Sequence, residues 1–436
     1  MNSSILIDIS QLRIGMYVQL DLNWLQHPFP VSSFRVGSAD QIATLRELGL
    51  KDVRYVPAKS DPQWRDPEGL APEEPAASSV LAPEAMGAIA TLAATPAIDP
   101  ETERRRRLLD FQNRALAVCD QRFADATRQY QALERAVTDQ PGQARSKGDA
   151  LVSGCVADVL ENGDSVIRLL SEGVGERSGL HPINVMVISL LLGRSLGMKS
   201  DELNDLGIAA LIHDIGKTRL PPNLRNPTTS MPLMERARYE THVAESVALA
   251  RRMGYGDGVL TAVGRHHEMA DGSGFPGRLS GAELGRMSQV LALVNRYDRM
   301  CNPANGLDAL TPHEALSVIF AQHKSRFDAV VLGAFIRMMG VYPPGSIVQL
   351  VNDRYAIVVS VNSSRPLRPK VIVHDPKVPK EEATILDLET VPELGIRRSL
   401  KPSQLPREAL DYLSPRQRIC YFFERAVPPE ADGDNA

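Results

Sequence analysis

The pattern of apolar and polar positions changes several times along the chain, and each change predicts a different kind of element. Over residues 1–60, short β-type runs such as Met16 to Leu20 and Val53 to Val56 flank a helical stretch from Ala39 to Leu48 that Gly49 closes, predicting a small N-terminal α/β domain. Residues 61–100 turn to Pro, Ala, Glu and Ser (PEGLAPEEPAASSVLAPEA), bury little and read as a flexible linker. Residues 101–150 read as a long amphipathic helix, because 101–139 contain neither Pro nor Gly and are dense in Arg, Glu, Gln, Ala and Leu. Helical runs such as VMVISLLLG and LNDLGIAALI fill residues 151–342 and predict an all-helical domain. Residues 343–436 then alternate β-branched segments (SIVQLV, YAIVVSV, KVIVH) with Asn-Asp and Pro-containing turns, predicting a β-rich C-terminal appendage and tail. The expected fold class is mainly α, with a helical domain between a small α/β domain and a β-rich appendage.

Composition narrows the partners. With 436 residues the chain is long enough for several structural units. A formal net charge of -4 gives no general attraction to polyanions, so bulk nucleic-acid binding is not expected. The Arg104 to Arg107 run fans around its helix and reads as a solvated face. The opening MNSSILIDIS lacks the layout of a signal peptide, and no apolar run reaches bilayer length. A cytoplasmic protein without membrane insertion is the expectation. Cys119, Cys155, Cys301 and Cys420 lie far apart, so neither a disulfide framework nor a thiolate zinc site is indicated.

The candidate chemistry lies in the helical domain, which holds His181, His213, His242, His266 and His267. A single histidine such as His242 in YETHVAESV is more often a surface or core residue than a ligand. Their grouping changes that. His213 and Asp214 end an apolar helix that Ser200, Asp201 and Glu202 can start, and Gly216 with Pro221 and Pro222 breaks it. Neighbouring helical residues point about 100° apart, so His213 and Asp214 suit two metals side by side, and a carboxylate can bridge them. Lys217 brings a cation towards the same cluster, which suits an anionic substrate. The segment HHEMADGSGFPG places two imidazoles ahead of Asp271 and a loop in which Gly272 and Gly274 permit positive φ or close approach and Pro276 stiffens the exit.

These strings, HDIGK from His213 and HHEMADGSGFP from His266, resemble the HD-GYP family motifs HDxGK and HHExxDGxGYP, over roughly residues 150–345. LRIGMYVQLDLNWLQHPF also looks like the small domain often found ahead of HD-GYP units. The resemblance implies an HD-superfamily phosphodiesterase for cyclic di-GMP that uses helical His and Asp ligands for iron or manganese. It places His181, His213 and Asp214 on one metal and Asp214, His242, His266 and His267 on the other, with Asp214 bridging. Several residues depart from the pattern. Where the family has a metal-binding aspartate in V-x-D-x-x-D-A, this chain reads LVNRYDRM, so Asn295 offers only a weak, uncharged oxygen. Asp298, one turn on, is read as a hydrogen-bonding residue rather than a direct ligand. Arg177 stands where three-metal members have glutamate, which sets the expectation at two divalent ions. Phe275 replaces the tyrosine of the name-giving triplet, and Asn226 replaces a lysine.

Two metals roughly 3.5–4 Å apart can activate a water and clamp a phosphate oxygen. The expected reaction is hydrolysis of cyclic di-GMP to pGpG or GMP, with Asp214 bridging the ions and Lys217 countering charge on phosphate. Asp271, Gly272, Gly274, Phe275 and Pro276 are the expected loop facing the substrate. Two alternatives stay open: a catalytically silent cyclic di-GMP sensor or scaffold, motivated by Asn295 and Asn226, and a hydrolase of ordinary nucleotides. A homodimer or a signalling-protein partner is compatible with the flanking regions, which carry no recognisable chemistry of their own.

Overall fold

The computed structural model describes residues 4–20, 33–36, 41–42, 45–46, 52–61, 100–161, 165–226, 231–362 and 367–425. Apart from its two end residues, the predicted linker over 61–100 lies outside them. The chain forms two units, residues 1–97 and 98–436. In the first, strands β1 (Ile5–Asp8), β2 (Tyr17–Gln19), β3 (Ser33–Arg35) and β4 (Asp52–Tyr55) make an antiparallel sheet in the order β1-β4-β2-β3. Val18, Val53 and Tyr55 turn inward and close a small core with Met16, Val36 and Leu45. The predicted helix over 39–48 is described only at residues 41–42 and 45–46, which are helical.

The second unit begins with α1 (Pro100–Ala136) and α2 (Pro141–Glu161), which pack together. The single long helix expected over 101–150 is thus two helices. Pro141 is the reason: it has no amide hydrogen to continue α1, but fits the first position of a new helix. Along α1 the buried residues Cys119, Phe123, Ala126, Tyr130 and Leu133 recur at three- and four-residue spacing, the seam of a helix with one apolar face. Of the arginine run, Arg105 donates to the Glu382 carbonyl at 3.1 Å.

Six helices then frame the site: α3 (Leu180–Ser195), α4 (Ser200–Ile212), α5 (Leu233–Glu240), α6 (His242–Arg252), α7 (Asp257–Gly264) and α8 (Arg286–Cys301). Helix α3 is buried without interruption from Pro182 to Gly193, which explains why that stretch is apolar apart from Asn184 and Ser189. Helix α4 starts one residue earlier in its cap than expected: Lys199 is the N-cap, and its amide donates to the Glu202 carboxylate at 2.9 Å. Two further helices, α9 (Pro312–Gln322) and α10 (Ala329–Met339), complete the helical domain.

The β-rich C-terminal region forms β6 (Ile347–Leu350), β7 (Tyr355–Asn362), β8 (Lys370–Val373), β9 (Ile385–Asp387), β10 (Ile396–Leu400) and β11 (Tyr421–Arg425), with α11 (Arg407–Leu413) between the last two. The mainly helical class with β-sheets at both ends therefore holds. The C-terminal sheet is not a detached appendage, however. It takes a strand from ahead of the site helices, β5 (Ser165–Leu169), in the order β10-β6-β7-β5-β11, while β8 pairs with β7 and carries β9. The run SVIRL is too short to separate strand from helix by periodicity, so its role depends on the partners that arrive far later in the chain. No helix among the described residues is long and apolar enough to cross a membrane.

Candidate metal centre

The five clustered histidines of the helical domain occupy helix ends. His181 lies in the first turn of α3, His213 follows α4, His242 begins α6, and His266 and His267 follow α7. Helix ends leave carbonyls without intrahelical partners, and three of the imidazoles use carbonyls of the preceding turn. The Nδ1 atoms of His213, His242 and His266 lie 2.7, 2.6 and 2.6 Å from the carbonyl oxygens of Ala210, Tyr239 and Val263. A carbonyl only accepts, so each Nδ1 holds the proton and each Nε2 remains a bare acceptor. Local backbone geometry thus fixes the tautomer before any ligand arrives.

Those Nε2 atoms converge on Asp214. Its Oδ1 lies 3.3 Å from His242 Nε2 and 3.6 Å from His266 Nε2. Asp214 Oδ1 and the Nε2 atoms of His242, His266 and His267 are all buried and have no hydrogen-bond partner among the described residues. Three acceptors, Asp214 Oδ1 and the Nε2 atoms of His242 and His266, facing one another beside an unpartnered His267 Nε2 would be costly unless a cation joined them. Their atoms lie within 4.8 Å of one another, as do those of His181, His213 and Asp214. The residues therefore fit divalent metal binding by nitrogen and oxygen donors.

The other carboxylate oxygen has a different environment. Oδ2 accepts from Lys217 Nζ and from Arg299 Nη2, both at 2.7 Å, and lies 3.4 Å from the Nε2 atoms of His181 and His213. Burial pushes the Asp214 carboxyl up, but Lys217, His213 and Arg299 outweigh it and hold it well below the usual carboxylate range. Burial lowers Lys217 to about 8, with the Arg299 charge adding to the effect. Burial also depresses His213, His267 and His266, the last to about 3, keeping these imidazoles neutral. His181 differs: burial lowers it, yet Asp214 and Asp298 together raise it above the ordinary value.

Close packing sets the two halves of the cluster against each other. Gly216, in the turn Ile215–Arg219, lies so near α6 that a Cβ there would meet the His242 carbonyl oxygen at 2.2 Å, and its amide donates to Ser246 Oγ at 2.8 Å. The glycine-rich loop is folded equally tightly. Gly272 has φ +74°, and a Cβ on Gly274 would fall 2.5 Å from Glu268 Cα. Phe275 stacks on the His267 ring with centroids 4.4 Å apart, and its peptide bond to Pro276 is cis. Asp271 is exposed and accepts from the Ser273 amide and hydroxyl at 3.0 and 2.6 Å, which makes it a turn former in this structure. Arg177 and Asn226 are also exposed.

Sequence reasoning missed two contributors, Arg299 and Glu268, and read Asp298 as the hydrogen-bonding residue that it is here. Arg299 reaches Asp214 across the domain, and its Nε also donates to Asn295 Oδ1 at 2.9 Å. The Asn295 oxygen, expected as a weak metal ligand, is therefore engaged with a guanidinium. The signal was present in the string, because 295 and 299 are one turn apart on a helix. Buried Glu268 accepts from the amides of Gly277 and Leu279 and closes the loop on itself. Asp298 accepts from His181 Nδ1 at 2.5 Å and binds the side-chain amides of Asn184 and Asn302, a structural role. Asn184 and Asn302 continue to the C-terminal region: Asn184 Nδ2 and Asn302 Nδ2 donate to the Ile419 carbonyl at 3.0 and 2.8 Å, and the Tyr421 amide donates to Asn184 Oδ1 at 2.8 Å.

Residues 165–331 match the family model described as HD domain, and residues 4–149 match a domain of unknown function (DUF3391). The chain is 28% identical over 374 residues to the cyclic di-GMP phosphodiesterase PA4108 of Pseudomonas aeruginosa, covering 84% of each chain. It is also 28% identical over 150 residues to the cyclic di-GMP phosphodiesterase response regulator RpfG of Xanthomonas campestris pv. campestris, covering 34% of this chain and 39% of the relative. Among solved structures, Bd1817, an HDG"Y"P protein from Bdellovibrio bacteriovorus, aligns with 76% of this chain and 98% of its own, at 15% identity and a TM-score of 0.41.

Proposed function

The chain is an HD-GYP protein, and from that premise we propose that it is a metal-dependent phosphodiesterase that hydrolyses cyclic di-GMP to pGpG, to GMP, or to both, in bacterial second-messenger signalling. The observation that carries this reading is the convergence of four buried, unpartnered polar atoms, Asp214 Oδ1 and the Nε2 atoms of His242, His266 and His267, while Lys217 and Arg299 bond the other carboxylate oxygen. His242, His266, His267 and Asp214 would hold a divalent ion, and donors of nitrogen and oxygen without thiolate suit iron or manganese. When bound, such an ion supplies Lewis acidity to the phosphodiester and to the water that attacks it. In the reaction the water oxygen bonds to phosphorus, the bond from phosphorus to the ribose 3′ oxygen breaks, and that oxygen takes up a proton.

The protein's own groups prepare the anionic substrate's place. Asp214 stays ionised because Lys217, His213 and Arg299 outweigh the cost of burying it. Lys217, lowered by burial to about 8, is still mostly a cation at neutral pH and can counter charge that develops on phosphate. Phe275, stacked on His267, sets an apolar ring beside the cluster where a tyrosine would add a hydroxyl. The four cysteines are buried and form no disulfide, which suits the reducing cytoplasm.

A catalytically silent cyclic di-GMP sensor is the second reading, favoured by Asn295, whose oxygen brings no charge and is engaged by Arg299. Turnover decides between them. Purified protein loaded anaerobically with iron or manganese is incubated with cyclic di-GMP, beside Asp214→Ala, and the linear products are separated chromatographically. Hydrolysis that the variant loses supports the enzyme; metal-loaded protein that binds cyclic di-GMP without cleaving it supports the sensor. Competition by AMP or dGTP would point instead to a general nucleotide hydrolase.

A further inference from the structure

The two oxygens of Asp214 are not equivalent. Oδ1 faces the unpartnered Nε2 atoms of His242 and His266, whereas Oδ2 already accepts from Lys217 and Arg299 at 2.7 Å each. The guanidinium is held from behind as well, because Arg299 Nε donates to Asn295 Oδ1 at 2.9 Å and Asn295 is 2% exposed. We propose that Arg299 permanently fills one of the two expected ion positions with its own charge, so that this chain holds one divalent ion, on Asp214 Oδ1, His242, His266 and His267. The inference deepens the metal-dependent reading of the same site and rests on it.

The chemistry of the pair at 295 and 299 supports the substitution of a side chain for an ion. A guanidinium is charged at every accessible pH and presents several donors in a fixed plane. Here one donor meets an amide oxygen and another meets a carboxylate, so the plane is set at two points. The amide matters: Asn295 accepts from Nε without competing for the positive charge, which is left to Asp214. A carboxylate at 295 would compete for it or take a metal. A second divalent ion on His181, His213 and Oδ2 would have to share that oxygen with two cations already at hydrogen-bond distance, in a site where burial weakens screening. At 22% exposure the Arg299 side chain still reaches the solvent from which an anionic phosphate arrives.

The test counts ions rather than turnover. Full-length protein is loaded anaerobically with Mn(II), freed of excess by gel filtration, and examined by plasma mass spectrometry and electron paramagnetic resonance. One ion per chain with the spectrum of an isolated Mn(II) is the expected result. Two ions with an exchange-coupled spectrum overturn the proposal. The double variant Asn295→Asp with Arg299→Ala should take up a second ion and show the coupled spectrum; a double variant that unfolds at the wild-type temperature yet still holds one ion overturns the role given to Arg299. The wild-type count stands whether or not the variant folds. No bound ion would overturn this proposal and the metal-dependent function together, whereas one ion without cyclic di-GMP cleavage would overturn only the activity.

Discussion

Gly216→Ala tests how closely the two halves of the cluster depend on backbone contact. The added Cβ would lie 2.2 Å from the His242 carbonyl oxygen and 2.4 Å from the Ser246 amide nitrogen. Real Cβ atoms essentially never come within 3.0 Å, so the turn that follows Asp214 must withdraw from α6 by about 0.8 Å, the difference between 3.0 and 2.2 Å. These two nearest obstructing atoms are backbone, so no change of rotamer relieves the clash. Overpacking costs roughly 1–3 kcal/mol, and loss of the Gly216 amide bond to Ser246 Oγ adds about 1 kcal/mol, giving an expected destabilisation of about 2–4 kcal/mol. The effect on metal should be larger in kind, because ligand distances tolerate only about ±0.2 Å. We expect affinity to fall by about 10–100-fold, the range found when the support of a metal site is disturbed. Anaerobic Mn(II) titration and urea unfolding of the wild type and variant read both effects. Gly154→Ala on α2 is the control: nothing lies within 4 Å of its added Cβ, so it should stabilise the protein by about 0.5–1 kcal/mol. Wild-type metal affinity and an unchanged unfolding midpoint in Gly216→Ala would refute the reasoning.

Other substitutions probe the supports of the site. Asn184→Leu removes bonds to Asp298, the Ile419 carbonyl and the Tyr421 amide, all in a buried region, and should lower the free energy of urea unfolding by about 2–4 kcal/mol; a loss within error of zero would show that these bonds are replaced. Glu268→Ala leaves the amides of Gly277 and Leu279 without their acceptor and should cost about 1–3 kcal/mol while speeding proteolysis of the glycine-rich loop, and equal cleavage rates would contradict the clasp. Metal-free protein should lose stability as pH falls below 6.5. Burial holds His213, His266 and His267 under that unfolded value, His266 at about 3, so the unfolded chain binds protons first; only His181, raised by its carboxylates, opposes the trend. Unfolding midpoints of chelator-treated protein that rise between pH 7 and 5 would reverse this conclusion.

The grouping of the five histidines with Asp214 was largely legible in the sequence, because these residues occur in short strings whose spacing is tied to helix ends. His213 with Asp214, and His266 with His267, need only one helix terminus each to face the same way. Arg299 was harder to read because its meaning lies 85 positions away at Asp214; within LVNRYDRM it resembles any charge on a helix surface. Asp298 gains its function from His181 across 117 positions in the same manner. Glu268 stood in the motif, but its bonds to Gly277 and Leu279 depend on how the loop turns back. The strand at 165–169 has the weakest local signal of all, since its two neighbours are residues 360–362 and 421–425.

That strand has a consequence for how the protein is made. During synthesis from the N-terminus, β5 leaves the ribosome with both edges open, and its partners at residues 360–362 and 421–425 follow only much later. Asn184 and Asn302 likewise wait for Ile419 and Tyr421, although they touch Asp298 beside the histidines. The residues of the candidate metal cluster are all made by residue 267. A nascent chain therefore carries the histidines long before the scaffold behind His181 can close, and capture of metal in its final geometry would have to wait until Ile419 and Tyr421 have been made.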